Sequence, residues 1–378
     1  MDSSGSESGY DTESSEDAAS GFCGFGRPAD RGLLEVPLPD GKPDLRHWIL
    51  PPTGHFWSNR RRNHLHVRHW LPPATAIRGT VFWLHGYAGH MNSRHTVRYP
   101  ERLCQDGYAV LAFECEGHGY SPGERCFIRS FDDVLDDAVD FIALVFNGEA
   151  SAAEKRRNLG IDAAQLAAMH RGRFAVLGES MGGALALLTA LRIQNGGLDE
   201  TATSKFGGAL VCAPALAVSL PPPVVQALLR NLVVPLVPSS PMPSFVSKNS
   251  QNDKALMLRD PDLVKLVEMD DFGEAKGALG WHKPMKWATA GAFSKLYSTL
   301  DDDMRAMSFP ILVLHDPGDG ICKIDGARRL MQLSPSGDKR LVEVPGGLHD
   351  LTVNEPDVVH RYALDFFASH LCAAPAAR

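Results

Sequence analysis

The sequence of 378 residues predicts an α/β fold with a mostly parallel central sheet flanked by helices. Short, unbroken apolar runs recur along the chain, which is typical of strands buried on both faces. Helical patterns or long insertions separate these runs, as in a sheet wrapped by helices. The chain is also long enough to bury a sizeable core. The predicted strands are Thr80–Leu84, Tyr108–Phe113, Phe174–Leu177, Ala209–Cys212, Ile311–Leu314 and Leu341–Val344.

A hairpin and five helices complete the predicted architecture. From His47 onward, two β-like runs flank the polar turn Ser58–Asn63 and predict an antiparallel hairpin. The amphipathic patterns between the buried strands predict helices on both sides of the sheet. The predicted helices are Tyr99–Asp106, Ser130–Asn147, Ser180–Gln194, Gly326–Leu333 and Glu355–Leu371.

The N-terminal segment differs in composition from the rest of the chain. Residues 1–20 contain six acidic residues and no Lys or Arg, so they carry most of the net charge of −7. This Ser-rich segment has almost nothing to bury, and we predict a disordered acidic tail over residues 1–40. It resembles neither a secretory signal nor a typical transit peptide. The remainder is near neutral, so the charge gives no support to a nucleic-acid partner.

The cysteine and histidine content bears on compartment and metal binding. Seven cysteines in a long chain without a signal peptide indicate reduced thiols, and we expect a cytoplasmic protein, with peripheral membrane association as a further expectation. His64 and His66 would share one face of the hairpin, with His69 nearby, which is compatible with metal ligation. No Cys, Asp or Glu nearby completes a ligand set, and a solvated edge strand tolerates such residues. We therefore predict no metal there.

The most informative stretch is Arg171–Arg192, which contains Gly178-Glu179-Ser180-Met181-Gly182-Gly183 between an apolar run and an Ala/Leu-rich segment. This pattern predicts a strand, a tight turn and a helix, with Ser180 on a strained elbow between glycines. The following helix directs its unpaired N–H groups and the positive end of its dipole at the serine, where they favour an oxyanion. The motif therefore predicts acyl transfer with Ser180 as the nucleophile.

A long insertion interrupts the alternation of strands and helices between Pro214 and about Leu300. Its first part is very apolar, but repeated prolines preclude a spanning helix of about 20 residues. Two interpretations stay open: a cap whose apolar face lines an acyl pocket or rests on a membrane, and a helix buried against the core. We predict a first core part over residues 41–213, a helical cap over 214–300 and a second core part over 301–372.

The candidate acid and base follow later strands. After Ile311–Leu314 comes a turn that contains Asp316 and Asp319, and after Leu341–Val344 comes a glycine-rich loop with His349. The chain order of serine, acid and histidine is that of an α/β-hydrolase. At this stage both aspartates are candidates for the acid.

An oxyanion site is predicted from an earlier loop. The strand Thr80–Leu84 ends in His85-Gly86-Tyr87, where the glycine allows a sharp turn that aims the amide of Tyr87 at the elbow. With the amide of Met181, this gives two oriented donors, each worth on the order of 3 kcal/mol of barrier.

Five motifs together resemble the monoacylglycerol lipases, especially the plant-type monoglyceride lipases and lysophospholipases of the α/β-hydrolase fold. The resemblance runs from about Phe56 to Phe367 and implies a helical cap before the acid. It implies Ser180 as nucleophile, Asp319 as acid and His349 as base, with the amides of Tyr87 and Met181 in the oxyanion hole. The motifs are HGYAGH, GHGYSPGERCFIRSFDDVLDD, GESMGG, HDPGDGIC and GGLHDLTVNEP.

The sequence departs from the family pattern at two positions and carries one notable thiol. Glu114 stands where aspartate is usual, and Asp316 replaces a glycine, which leaves the choice of acid to be tested. We favour Asp319 because it keeps the spacing to the strand. Cys322 resembles a thiol that makes the animal monoglyceride lipases sensitive to thiol reagents.

The expected activity is hydrolysis of a monoacylglycerol or a lysophospholipid through an acyl-enzyme on Ser180, without a metal or an organic cofactor. The nearest alternative is a carboxylesterase for a non-lipid ester, since the fold does not determine the substrate. An acyltransferase has weaker support, because His360 and Asp365 match a minimal pattern but do not share a helix face. A non-catalytic binding protein would be expected to lack a triad member, and none is missing.

Overall fold

The computed structural model describes residues 48–147, 158–217, 229–243, 254–272, 278–281 and 284–372. The predicted tail over residues 1–40 lies outside these residues, as do the prolines at positions 221–223 and parts of the predicted cap.

One eight-stranded sheet runs through the described part of the chain, in the order β1-β2-β4-β3-β5-β6-β7-β8. The predicted hairpin is confirmed, because β1 and β2 pair antiparallel with Ser58 opposite Asn63. Strand β2 also runs antiparallel to β4, and every later pair is parallel. The strands are Gly54–Ser58 (β1), Asn63–Trp70 (β2), Gly79–Leu84 (β3), Tyr108–Phe113 (β4), Phe174–Glu179 (β5), Phe206–Cys212 (β6), Ile311–His315 (β7) and Lys339–Glu343 (β8).

Helices and short turns connect the strands. The 3-10 turns are Ala74–Ala76 and Lys254–Leu256, and π-turns lie at Ile193–Gly197 and Leu229–Val233. The α-helices of the described residues are Arg94–Gln105 (α1), Phe131–Phe146 (α2), Ala163–Arg171 (α3), Met181–Arg192 (α4), Glu200–Ser204 (α5), Val234–Leu236 (α6), Pro261–Phe272 (α7), Trp287–Ala306 (α8), Ile324–Leu333 (α9), Leu351–Asn354 (α10) and Pro356–His370 (α11).

Both faces of the sheet are buried, as the apolar runs predict. In β3, Phe82 belongs to a core with helices α2 and α4, whereas Val81 and Trp83 belong to a second core with α1 and α11. Successive residues of a strand point to opposite faces, so a continuous apolar run supplies both cores at once. The predicted α/β fold with a mostly parallel sheet is therefore confirmed.

The main differences from the predictions concern two helices and one strand. Helix α1 begins at Arg94 rather than Tyr99, because its first turn is polar and hides the helical pattern. Helix α3 was not predicted, since only two of its nine residues are buried and the apolar pattern is weak. Strand β8 runs over Lys339–Glu343 instead of the predicted Leu341–Val344. It lies at the edge of the sheet, where charged residues such as Lys339 and Arg340 are tolerated within the strand and conceal its start.

The insertion after β6 contains parts that contact the core and parts that do not. Helix α8 continues past position 300, and Phe293, Leu296 and Leu300 on one of its faces join the larger core. Helix α7 packs elsewhere, with Leu266 against Trp48 and Ile49. Helix α8 is therefore buried against the core along one face, whereas both interpretations of the apolar first part of the insertion stay open. The division into core and cap stays a prediction.

Candidate active site

The elbow of the chain lies between β5 and α4. Ser180 is the single residue that links them, and its φ of 57° places a non-glycine residue in the left-handed region. A Cβ on Gly182 would lie 1.9 Å from the carbonyl oxygen of Leu84, and one on Gly178 would lie 2.0 Å from that of Gly182. Strand and helix therefore approach so closely that only glycine fits on either side of the serine.

Backbone hydrogen bonds hold Ser180 in this strained conformation. Its N–H donates to the carbonyl oxygen of Cys212 at 3.0 Å, and its own carbonyl oxygen accepts from the N–H of Ala215 at 2.9 Å. Gly86, in the loop after β3, faces its side chain, since a Cβ on Gly86 would lie 3.4 Å from the Cβ of Ser180. The surrounding backbone thus holds Ser180 in place with several hydrogen bonds, and such support allows strained conformations to persist at functional sites.

Cys322 is buried, with a relative exposure of 2%. Burial raises the pKa of its thiol well above the ordinary range. Since the thiolate is the reactive form, this environment disfavours the thiol-reagent sensitivity that the resemblance implies.

The loop after β3 is positioned by a neutral histidine. Nδ1 of His85 donates to the carbonyl oxygen of Gly86 at 2.8 Å, and Nε2 accepts from the N–H of Cys115 at 3.0 Å. Burial lowers the pKa of His85 to about 4, which agrees with this neutral tautomer. Among the described residues, no acceptor takes a hydrogen bond from the backbone N–H of Tyr87 or of Met181. Both predicted oxyanion donors are therefore available.

The structure brings Asp319 and His349 together, as predicted. Nδ1 of His349 donates to Oδ2 of Asp319 at 2.7 Å, while Oδ1 accepts from the N–H groups of Ile321 at 2.7 Å and Cys322 at 3.0 Å. Burial opposes ionisation of Asp319, but the hydrogen bonds from His315 and His349 outweigh it and hold the pKa well below its usual range. The carboxylate can thus orient the imidazole and stabilise its protonated form.

Asp316, the other candidate acid, faces backbone amides instead. Its Oδ1 accepts from the N–H groups of Gly318 at 2.8 Å and Gly346 at 3.2 Å, and its Oδ2 accepts from Leu348 at 2.8 Å. These bonds tie the loop after β7 to the loop after β8. The geometry therefore gives Asp316 a scaffolding position and Asp319 the contact with the imidazole.

Ser180 and His349 line one cavity together with the loop after β3, the start of α1 and parts of the insertion. Its wall from the insertion consists of Lys254, Met257, Val267 and Asp270. The base loop also rests on this wall, since the N–H of His349 donates to the carbonyl oxygen of Leu256 at 3.3 Å. The insertion thus lines the same cavity as Ser180 and His349.

Several residues that line the cavity were not predicted from the sequence. Nε2 of His90 lies 2.7 Å from Oδ2 of Asp270, which joins the loop after β3 to helix α7. Burial opposes ionisation of Asp270, yet its bonds to His90 and to backbone amides lower its pKa. The partners are 180 residues apart, and no local pattern connects them. Glu179 and Asp350, which flank the nucleophile and the base in sequence, also line the cavity.

Glu114, one of the two departures from the family pattern, is buried. Its carboxyl accepts from the N–H groups of Met91 at 3.2 Å and Tyr120 at 2.6 Å, and from the side chain of Asn92. It therefore connects the loop after β3 to the loop after β4. Burial raises its pKa.

Two other sequence candidates lie apart from this arrangement. The described residues contain no group of three or more His, Cys, Asp or Glu side chains that could hold a metal ion. His64, His66 and His69 therefore do not form such a group. His360 pairs with Asp106 at 2.8 Å. The imidazole of the minimal acyltransferase pattern is thus paired with Asp106, and His360 is not among the residues that line the cavity.

Comparisons with known proteins agree with this geometry. Residues 75–357 match the family model Hydrolase_4, described as serine aminopeptidase, S33. A monoacylglycerol lipase of Mycolicibacterium smegmatis is 26% identical over 285 residues, which cover 75% of this chain and 85% of that protein. A monoglyceride lipase of Homo sapiens is 26% identical over 310 residues, which cover 80% and 85%.

A solved structure is similar over most of the chain. The crystal structure of a monoacylglycerol lipase of Paleococcus ferrophilus superposes with a TM-score of 0.60 at 23% identity, and the match covers 81% of this chain and 99% of that one. Together with the strand order, this likeness confirms the α/β-hydrolase fold.

Proposed function

We propose a function from one premise: the chain belongs to the serine aminopeptidase S33 family, Hydrolase_4. The protein is a serine hydrolase that cleaves a fatty-acyl ester through an acyl-enzyme on Ser180, and monoacylglycerol is the first candidate substrate. The observation that carries this proposal is that Ser180 and His349 line one cavity, while Nδ1 of His349 bonds to Asp319 at 2.7 Å.

The mechanism follows from the roles these side chains can take. His349 removes the proton of the Ser180 hydroxyl as its oxygen attacks the ester carbonyl carbon. Asp319 holds the imidazole in the required tautomer and supports its positive charge. His349 then protonates the leaving alcohol. Water, activated by the same imidazole, attacks the acyl-enzyme and releases the fatty acid and the serine.

The backbone N–H groups of Tyr87 and Met181 serve as the oxyanion donors. Their contribution comes from being oriented before charge develops on the carbonyl oxygen. His85 supports this orientation, because both of its ring nitrogens bond to the backbone around the loop that carries Tyr87.

Monoacylglycerol is supported by the two curated relatives, which are named as lipases for this substrate. The cavity wall fits a neutral polyol head group, since it presents the carboxyl of Asp270. A lysophospholipid is the second candidate, because Lys254 on the same wall is a cation that can meet a phosphate. A carboxylesterase for a non-lipid ester is the alternative, favoured by polar wall residues such as Ser93 and Thr96.

The insertion is also proposed to contact lipid surfaces. Leu232, Leu236 and Val237 are exposed at 54%, 71% and 41%, and they stand close together on the chain. An exposed apolar group at the protein surface is suited to rest on a membrane surface. Among the described residues, no helix is both long and apolar enough to cross a membrane.

A substrate panel tests the proposal. Wild type, Ser180→Ala and the control Ser204→Ala, an exposed serine on α5, are assayed with monoacylglycerols, lysophospholipids and short esters. We expect wild type and the control to prefer monoacylglycerol, and Ser180→Ala to lose at least about 10⁴-fold in rate. A fluorophosphonate should label Ser180. Full hydrolysis by Ser180→Ala, or no labelling at Ser180, would overturn the enzyme assignment, and preference for short esters would favour the alternative.

A further inference from the structure

Two carboxyl groups meet beside the nucleophile and the base. Glu179 directly precedes Ser180, and Asp350 directly follows His349. The hydroxyl of Thr352 lies 3.1 Å from Oε2 of Glu179 and 3.3 Å from Oδ1 of Asp350. The hydroxyl of Thr352 thus bridges the two carboxyls, which interact electrostatically with each other and both line the cavity.

Counting protons shows that this pair cannot be fully ionised. An ionised carboxylate only accepts hydrogen bonds, so a hydroxyl that lies between two carboxyls bonds to both only if one of them donates. The Thr352 hydroxyl has one proton and can donate to only one of its two carboxyl neighbours. At least one carboxyl must therefore carry a proton and act as a donor.

The surroundings of the pair favour retention of that proton. Cys212 on β6 and Tyr99 on α1 face it, and burial raises the pKa of both groups, so both stay neutral. Burial and then the charge of Asp350 raise the pKa of Glu179 well above its usual range, and burial raises that of Asp350. His349 is the neighbour that becomes cationic during the proposed reaction.

We infer that Glu179 and Asp350 share one proton and act as a positioning pair, which ties the end of the nucleophile strand to the loop of the base. The single negative charge of the pair also stabilises protonated His349 as the ester bond is attacked. This inference rests on the proposed function, in which Ser180 and His349 act together.

The pair makes activity sensitive to alkaline pH. When the shared proton leaves, two carboxylates remain side by side, and like charges at this distance repel. The Thr352 hydroxyl, which links the elbow to the base loop, then keeps a hydrogen bond to only one of the two carboxylates. We expect kcat to fall on the alkaline side while KM changes much less, because the geometry of Ser180 and His349 is affected rather than substrate binding.

The test compares pH profiles of kcat for wild type, Glu179→Gln and the control Asp137→Asn. The amide introduced by Glu179→Gln can donate to Asp350 without titrating, so we expect the alkaline fall to disappear or to move upward by at least one pH unit. Asp137 is a buried carboxyl on α2, bonded to Arg61, and its variant should keep the wild-type fall. An unchanged alkaline fall in Glu179→Gln would overturn the inference.

A second variant and a second measurement separate this inference from the proposed function. Glu179→Ala removes the tie, and we expect kcat to drop roughly 10- to 100-fold with little change in KM. A carboxyl whose folded-state pKa is raised stabilises the fold at low pH and loses that contribution as pH rises. The stability of wild type relative to Glu179→Gln should therefore fall with rising pH. A flat difference would reject the shared proton even if wild type cleaved no ester, whereas inactive wild type would reject only the proposed function.

Discussion

The central sheet and the insertion after β6 differ in how their side chains are held. In β3 every residue is buried, and the same is true of β4. In the described insertion, Leu232 and Leu236 leave more than half of their surface exposed. The sheet therefore holds Ser180, Asp319 and His349 in a dense environment, whereas the insertion supplies part of the cavity wall and an apolar outer surface. Under the proposed function, we expect the reaction chemistry to depend on the dense region and the substrate choice on the insertion.

The largest expected effect tests the core. Asp319→Asn leaves Nδ1 of His349 without its ionised acceptor, and we expect kcat to fall about 10⁴-fold, as for the equivalent exchange in a serine protease. Asp316→Asn, the matched control, should cost less than about tenfold in kcat and act mainly on stability, through its bonds to Gly346 and Leu348. Kinetics with a p-nitrophenyl ester measure both, and the reverse order would assign the acid to Asp316.

The second effect tests the close packing of the elbow. Gly182→Ala would place a Cβ 1.9 Å from a backbone oxygen of β3, which cannot move without disturbing the sheet. We expect a loss of about 3 kcal/mol or more in the free energy of unfolding. Gly337→Ala is the control, because nothing lies within 4 Å of its added Cβ. Denaturant titration compares them, and equal stabilities would contradict the close approach of strand and helix.

The third effect tests the contact between core and insertion. Asp270→Ala removes the carboxylate to which both the His90 imidazole and the amide of Leu279 bond. We expect the KM for monoacylglycerol to rise roughly tenfold with a smaller change in kcat, because the altered cavity wall binds the substrate more weakly than the wild-type wall does. Asp262→Ala on the same helix, an exposed side chain paired with Lys265, should change neither. A fall in kcat without a change in KM would indicate that Asp270 acts in the chemical step rather than in substrate binding.

The smallest effect tests the outer surface of the insertion. Leu236→Ser replaces an exposed apolar side chain, so we expect the free energy of unfolding to change by less than about 0.5 kcal/mol. Binding to phospholipid vesicles should weaken roughly two- to tenfold, because less apolar area enters the lipid. Trp57→Ser on β1, another exposed apolar residue, is the control. Equal vesicle binding by wild type and Leu236→Ser would reject the proposed membrane contact.

Much of the fold could be predicted from the sequence. Continuous apolar runs identified β3 to β7, because strands buried on both faces need apolar residues at every position. Helix α3 escaped notice, since its mainly alanine composition gives little periodic contrast. The insertion was recognisable by its prolines and length. Its contact with the core through α8 was not, because an amphipathic helix does not identify its partner.

The sequence by itself determined the elbow at Ser180, because a serine between glycines at a strand–helix junction is local chemistry within a few residues. It also supplied the order of nucleophile, acid and base. Only the tertiary structure shows that Asp319 rather than Asp316 contacts His349, because both aspartates stand on one turn and the direction of each side chain depends on the neighbouring loop after β8.

The Glu179–Asp350 contact and the His90–Asp270 contact likewise required the fold, since the partners are brought together only by the order of strands and the seating of α7. Local sequence patterns predict the backbone conformation of short segments. A proton shared between two carboxyls that are far apart in sequence depends on burial and on distances that exist only in the folded chain.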